Sequence, residues 1–332
     1  MISRVSAHPS LRTTNEELQP ARQRSTPRPP ERFRGARVLD VAALAPRDAG
    51  GILDLAIEGL LARLGPALAL ALCLWLPFRQ IAELLGLSGL DGFSADLYSL
   101  AWNALSLVPL GCTASVVASL VGDALVDRRA PVAPGLVRGL ACAPGAIVLL
   151  FLSQIAALPL VVLCVAPYFL VQWLTFAAVP IYVLEGDALL TPAERERARR
   201  SVLAYLAAFP RRIGRALARS FALSRGGPAL GRWVLLAVIG QLVLGGVLEL
   251  GAMALTYPEA REYLRSQLGF GGAAAELALG AVAGLFTALS ACLRSALMVA
   301  FYLDLRVRRE GWDLELALSR QDRDLAAAPE AP

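Results

Sequence analysis

Apolar residues run along this chain in long blocks, separated by short arginine-bearing stretches. A helix rises about 1.5 Å per residue, so about 20 apolar residues cross roughly 30 Å of hydrocarbon. Six segments meet that requirement, at about 65–85, 97–121, 144–165, 168–184, 233–254 and 277–302. The third and fourth share one interval, the 46 residues between Arg138 and Glu185, which carry no charge. As a single helix it would extend about 69 Å, over twice the hydrocarbon thickness. It must turn back, and Pro167 beside Tyr168 marks the expected turn. Within a bilayer every backbone N–H and C=O has to pair inside the protein, which helices achieve. The alternating pattern of a membrane barrel is absent. The expected fold is therefore all-α, a polytopic helical membrane bundle of about six spans with interfacial amphipathic helices.

Two stretches outside the spans are amphipathic. In the first, Leu53, Ile57, Leu60, Leu61 and Leu64 share a face opposite Asp54, Glu58 and Arg63. In the second, Arg212, Arg215 and Arg219 form one stripe, and Ile213, Leu217 and Phe221 form another. Arginine on one face and large apolar residues on the other suit a helix lying in the headgroup plane. Between the two stretches, Thr191-Pro192-Ala193-Glu194 reads as a capping box that opens a further helix. The chain divides into a flexible Arg/Pro-rich tail (1–50), a membrane domain (51–303) containing a helical loop (186–231), and a second tail (304–332).

Composition agrees: 56% of the 332 residues are hydrophobic and 18% charged. Mean hydropathy is +0.56. This excludes a disordered protein, a disulfide-rich secreted domain and an ordinary cytosolic enzyme. All 32 basic residues are arginine. With Arg79 and Arg294 set aside as span residues, 28 arginines fall on one side of the six-span topology, against Arg261 and Arg265 on the other. The positive-inside rule then places both termini in the cytoplasm of a bacterial inner membrane. The net charge of +5 is a topological signal and does not point to nucleic acid. Tyr98 and Tyr257 fall near expected outer ends, and Tyr182, Trp233 and Tyr302 near inner ends, as interfacial belts would. Trp75 and Trp173 are expected in helix contacts.

Gly280, Gly284, Ala288, Cys292 and Ala296 recur at every fourth position of the sixth span and present one close-packing face. The second span offers a partner surface of Ser106, Gly111, Thr113, Ala114, Ser115, Ala118 and Ser119. Asn103, Gln154, Gln172 and Gln241 are candidates for hydrogen bonds between helices.

Reactive chemistry is sparse. The single histidine, His8, lies in the polar tail, and the five cysteines form no CxxC pair. No cofactor or metal site is expected. Gly86-Leu87-Ser88-Gly89 matches the GxSG of rhomboid proteases but lacks a histidine from another span. No enzyme activity is expected. Arg294, about 12 Å along the helix from Tyr302, is deep for a charge. It reads either as a functional intramembrane group or as an arginine that snorkels or pairs with Asp123.

The run Phe301-Tyr302-Leu303-Asp304-Leu305-Arg306-Val307-Arg308-Arg309-Glu310-Gly311-Trp312-Asp313-Leu314-Glu315 resembles the Y-D-L-R-x-R-x-E-G-x-D-L ending of a broad group of bacterial membrane proteins. Many of these are grouped with the membrane domain of glycerophosphodiester phosphodiesterases. Gly51-Ile52-Leu53-Asp54, Pro180–Gly186 and Ala218–Gly226 are similar to further parts of that domain. The resemblance implies six helices and cytoplasmic termini. It does not extend to the catalytic barrel, so it implies no phosphodiesterase activity. Within the motif, Asp304 and Arg308 can pair on a helix, and Arg306, Arg308 and Arg309 are expected against the phosphate layer. The expected role is a non-enzymatic component that organises membrane lipids or a membrane or envelope protein, with Arg212, Arg215, Arg219 and the tail arginines as contacts. The alternatives are a small transporter or channel component using Arg294 for an anion, and an accessory membrane domain of a separately encoded enzyme.

Overall fold

In a computed structural model the described residues are 47–84, 93–126, 130–163, 171–186, 188–225, 231–234, 236, 247–248, 251, 262–263, 266 and 273–311. They form helices α1 (Ala49–Leu61), α2 (Leu64–Leu84), α3 (Phe93–Val126), α4 (Val132–Leu163), α5 (Ala178–Leu184), α6 (Pro192–Arg200), α7 (Val202–Ser224) and α8 (Ala273–Glu310). Four stretches are long and apolar enough to cross a membrane: Leu64–Ile81, Ala104–Leu125, Val132–Ala156 and Leu277–Glu310. The protein is thus an all-helical, multi-pass bundle.

The first span matches expectation closely, whereas α3, α4 and α8 overrun theirs. The third was expected to open at Pro144, yet α4 begins at Val132 and carries Pro144 in its interior. A membrane helix tolerates this because neighbouring helices satisfy the freed backbone groups. α8 continues seven residues past 303, so Asp304–Glu310 belong to the bundle and not to a tail. The fourth segment is not one uninterrupted helix. Residues 171–175 are helical, 176–177 form a turn, and α5 follows. Most of the fifth span (233–254), the tails at 1–46 and 312–332, the Pro167 turn, the Gly-x-Ser-Gly match at 86–89 and Tyr257 lie outside the described residues, as do the side chains of Tyr98, Asn103 and Gln241.

α8 is the axis, packing against α1, α2, α3, α5 and α7. Its five small residues are buried, and three of them, Gly280, Gly284 and Cys292, face α2. Gly280 meets Gln80, Gly284 meets Leu76, and the Cys292 thiol points to the Ala67 carbonyl at 3.8 Å. The small face of α3 turns to α4 instead. A Cβ on Gly139 would come within 2.5 Å of the Val116 Cα, and one on Gly111 within 2.9 Å of the Ile147 backbone. Between those helices Arg138 donates to Asp123 at 2.8 Å. Hydrogen bonds from α2 to α8 come from residues other than those expected: Gln80 donates to the Leu277 carbonyl (3.0 Å) and Arg79 to Thr287 (3.3 Å). Gln154 is exposed.

α1 is not laid flat in an interface with its leucines down. Asp48 caps it by accepting from the Gly51 N–H at 2.8 Å. Its buried face is Ile52, Leu55, Ala56, Gly59 and Leu60, so of the expected stripe Leu60 is buried, Leu53 and Ile57 are half-buried and Leu61 is exposed. The small residues decide this, because a Cβ on Gly59 would come within 2.8 Å of Val121 on α3.

Candidate functional site

The end of α8 carries its chemistry on two faces. Tyr302, Arg306 and Glu310 recur every fourth residue along one, and Asp304 and Arg308 along the other. On the first face, Glu185, just beyond α5, supplies a buried carboxylate. It accepts from the Tyr302 hydroxyl at 2.5 Å and from Arg219 at 3.0 Å, and Arg306 approaches it to 3.9 Å. Glu310 closes the ring, bonding Arg306 at 3.1 Å and Arg219 at 2.8 Å. Arg212 lies 4.8 Å above the Tyr182 ring and is itself buried. Gly186 makes room for it, since a Cβ there would meet the Arg212 Nη2 at 2.5 Å. Desolvation drags the Arg219 pKa down, but the carboxylates of Glu185 and Glu310 outweigh it and leave it above the ordinary arginine value.

On the second face Asp304, also buried, collects three donors. The Arg47 N–H donates at 3.0 Å, Arg232 at 3.1 Å and Arg308 at 3.0 Å. Arg308 also donates to the Arg47 carbonyl. Burial lowers the Arg232 pKa, with Asp304 opposing the shift and the charges of Arg308 and Arg309 adding to it. The start of α1, Arg232 and the end of α8 are thus tied through one carboxylate.

A third cluster builds the α6–α7 hairpin. Thr191 and Glu194 form the capping box, with the Glu194 N–H donating to the Thr191 hydroxyl at 3.3 Å and the Thr191 N–H to Glu194 at 2.9 Å. Arg215 reaches the same carboxylate at 2.6 Å and the Leu189 carbonyl at 2.7 Å, while Arg211 reaches it at 3.2 Å. The hydrogen bond from Arg215, followed by that from the Thr191 backbone, holds the Glu194 pKa down at about 2.

The arginine stripe of α7 therefore turns inward. Arg212 is buried against Tyr182, and Arg215 and Arg219 pair with carboxylates of this chain. Arg306, expected against the phosphates, is buried in the Glu185 ring, and Arg309 is exposed. Tyr182, Trp233 and Tyr302 are not belt residues, since all three are buried. A phenol beside a buried carboxylate gains a charge-assisted hydrogen bond that an interfacial position does not offer. Trp75 and Trp173 are buried in helix contacts, with Trp75 edge-on to Phe78 at 5.8 Å. Arg294 is half-buried within the apolar stretch of α8. Among the described residues no group of three His, Cys, Asp or Glu side chains could share a metal ion.

Sequence reasoning missed Glu185 as the hub. The available signal was its position as the first charge after the long apolar interval, at the end of one resemblance segment. Pro180–Gly186, the Arg219 region of α7 and the end of α8 meet at this carboxylate, while residues 51–54 lie at the start of α1, beside the Asp304 face. Compared with family models, curated proteins and solved structures, the chain matches none.

Proposed function

We propose that the chain is a non-enzymatic, multi-pass component of a bacterial inner membrane, with both termini cytoplasmic, that gathers anionic lipid at its arginine-rich end. One observation carries this reading: a second tier of arginine side chains stays largely exposed. Arg211, although it bonds Glu194, has 64% of its side chain in the open, and Arg225, just past the end of α7, and Arg309, on α8, are exposed. Near an anionic leaflet each such arginine contributes about 1 kcal/mol. Resemblance to the membrane domain of glycerophosphodiester phosphodiesterases supports the same placement.

The test is reconstitution of the full chain in nanodiscs of mixed phosphatidylglycerol and phosphatidylcholine. The acidic lipid should be enriched around the wild type and lose that preference in R211Q/R225Q/R309Q. Equal enrichment in both would refute the reading, as would a reporter fusion showing either terminus outside the cell. A second reading, a carrier of small anions, is favoured by Arg294 alone. It requires that cysteines placed at Leu293 and Leu297, in a background without the native thiols, react with a water-soluble reagent.

A further inference from the structure

Gln154 on α4, expected to bridge helices, bridges nothing inside the bundle. Its side chain is exposed, and among the described residues it has no hydrogen-bond partner. Helix rise gives its depth. Gln154 stands about 24 Å along α4 from Arg138 and about 14 Å from the end at Leu163, and the stretch beyond Arg138 carries no charge. Those limits are about 38 Å apart, so a hydrocarbon layer of about 30 Å fitted anywhere between them contains Gln154. Lipid tails offer the amide no donor or acceptor there, and leaving it unpaired is costly.

The surface around it is apolar. Val137, Leu140, Pro144, Phe151 and Ile155 are exposed on α4 with Gln154, at the three-, four- and seven-residue intervals of a helix seam. The chain's own elements lie elsewhere. α4 packs against α3, α5 and α7. Described residues of the expected fifth span sit by α8 and the 176–177 turn: Trp233 is edge-on to Phe176 at 6.3 Å, and a Cβ on Gly251 would meet Phe286 at 3.6 Å.

A second copy of the chain fits this surface. An amide carries donors and an acceptor, so it is its own complement. Copies inserted in one orientation hold Gln154 at one depth, and a two-fold axis along the membrane normal sets the two amides opposite each other. Another partner would need a polar group of its own at that depth, whereas a second copy supplies one by symmetry.

We propose that the chain self-associates through the outer face of α4, as a parallel two-fold dimer in which the Gln154 amides exchange hydrogen bonds within the membrane. This interface is separate from the arginine-rich end and independent of the lipid-gathering reading. The experiment is single-molecule photobleaching of the fluorescently labelled full chain in phosphatidylcholine vesicles over a range of protein densities. Two-step bleaching of the wild type should rise with density. Q154L, which changes only an exposed side chain and should melt like the wild type, should need about tenfold higher density for the same dimer fraction, and Q154N should stay near the wild type. In a background without the native thiols, Ile155→Cys should give a disulfide-linked dimer, and Val282→Cys, exposed on α8, should not. Monomers at every density overturn the proposal. So does a dimer whose density dependence is unchanged in Q154L, or one that cross-links through position 282 and not 155.

Discussion

Glu185→Gln removes one charge from the ring at the end of α8 and preserves its shape. Arg306 and Arg219 then lose the carboxylate between them. Breaking a buried pair by neutralising one partner costs about 3–5 kcal/mol. Two features of the structure place this case at the lower bound. Glu310 still reaches Arg306 at 3.1 Å and Arg219 at 2.8 Å, and the amide oxygen can still accept from Tyr302. The expected loss is about 3 kcal/mol, or roughly 6 °C at about 2 °C per kcal/mol for a chain of this size. The assay heats purified full chain in detergent at a fixed rate and follows the monodisperse fraction, since such unfolding is irreversible. Tyr302→Phe removes the hydrogen bond donated to Glu185, worth about 1.5–3 kcal/mol, together with the longer one accepted from Arg306 at 3.4 Å. The double variant should fall short of the sum, because both changes act on the same bond. A melting point unchanged or raised in E185Q would refute the claim that this carboxylate holds α5, α7 and α8 together.

Further outcomes follow from other contacts. Gly139→Ala should cost about 1–3 kcal/mol in the same melt, because its Cβ would press on the Val116 backbone. Gly214→Ala, where a Cβ meets nothing within 4 Å, should stabilise by about 1 kcal/mol through helix propensity. Thr191→Ala should open the α6–α7 hairpin to limited proteolysis, at a cost of about 1 kcal/mol. The Glu194 carboxyl is held down at about 2, so its contribution should be complete above its unfolded value near 4.5 and fade as pH falls toward 2. Hydrogen exchange at residues 192–200 between those pH values checks it. Asp304→Asn should destabilise independently of Glu185→Gln, adding within about 0.5 kcal/mol, because the two carboxylates share no partner.

The spans were legible one helix at a time. Hydropathy located α2 within a residue or so, because Leu64–Leu84 is largely apolar and is bounded in sequence by Arg63 and by the glycines and serine of 86–89. It misjudged α4 and α8 because Pro144 and the charges after 303 resemble boundaries when partners are invisible. The arginine stripe of α7 was legible as a stripe, but not its direction, which depends on carboxylates far away in sequence: Glu185 lies 34 residues from Arg219 and 117 from Tyr302. The spacing put five small residues on one face of α8, and all five are buried, while the contact of Gly280, Gly284 and Cys292 with α2 rested on tertiary fit.

The spacing at the end of α8 explains how one short motif holds so much of the bundle. Two residues of α-helix turn about 200°, so a carboxylate at 304 and a phenol at 302 point to nearly opposite sides. Tyr302, Arg306 and Glu310 therefore engage α5 and α7, while Asp304 and Arg308 engage the start of α1 and Arg232. The two charged groups the motif buries, Asp304 and Arg306, each meet an opposite charge from another part of the chain, so Arg306 and its partners are committed to structure. Arg225 and Arg309 enter none of the clusters described above, and Arg211 keeps 64% of its side chain open while it pairs with Glu194, so it is on these three that an external anionic surface would act. The same sequence feature, an abundance of arginine beside apolar helices, thus separates into an internal set that fixes helix order and an external set that can meet lipid. Only the tertiary structure assigns each arginine to its set.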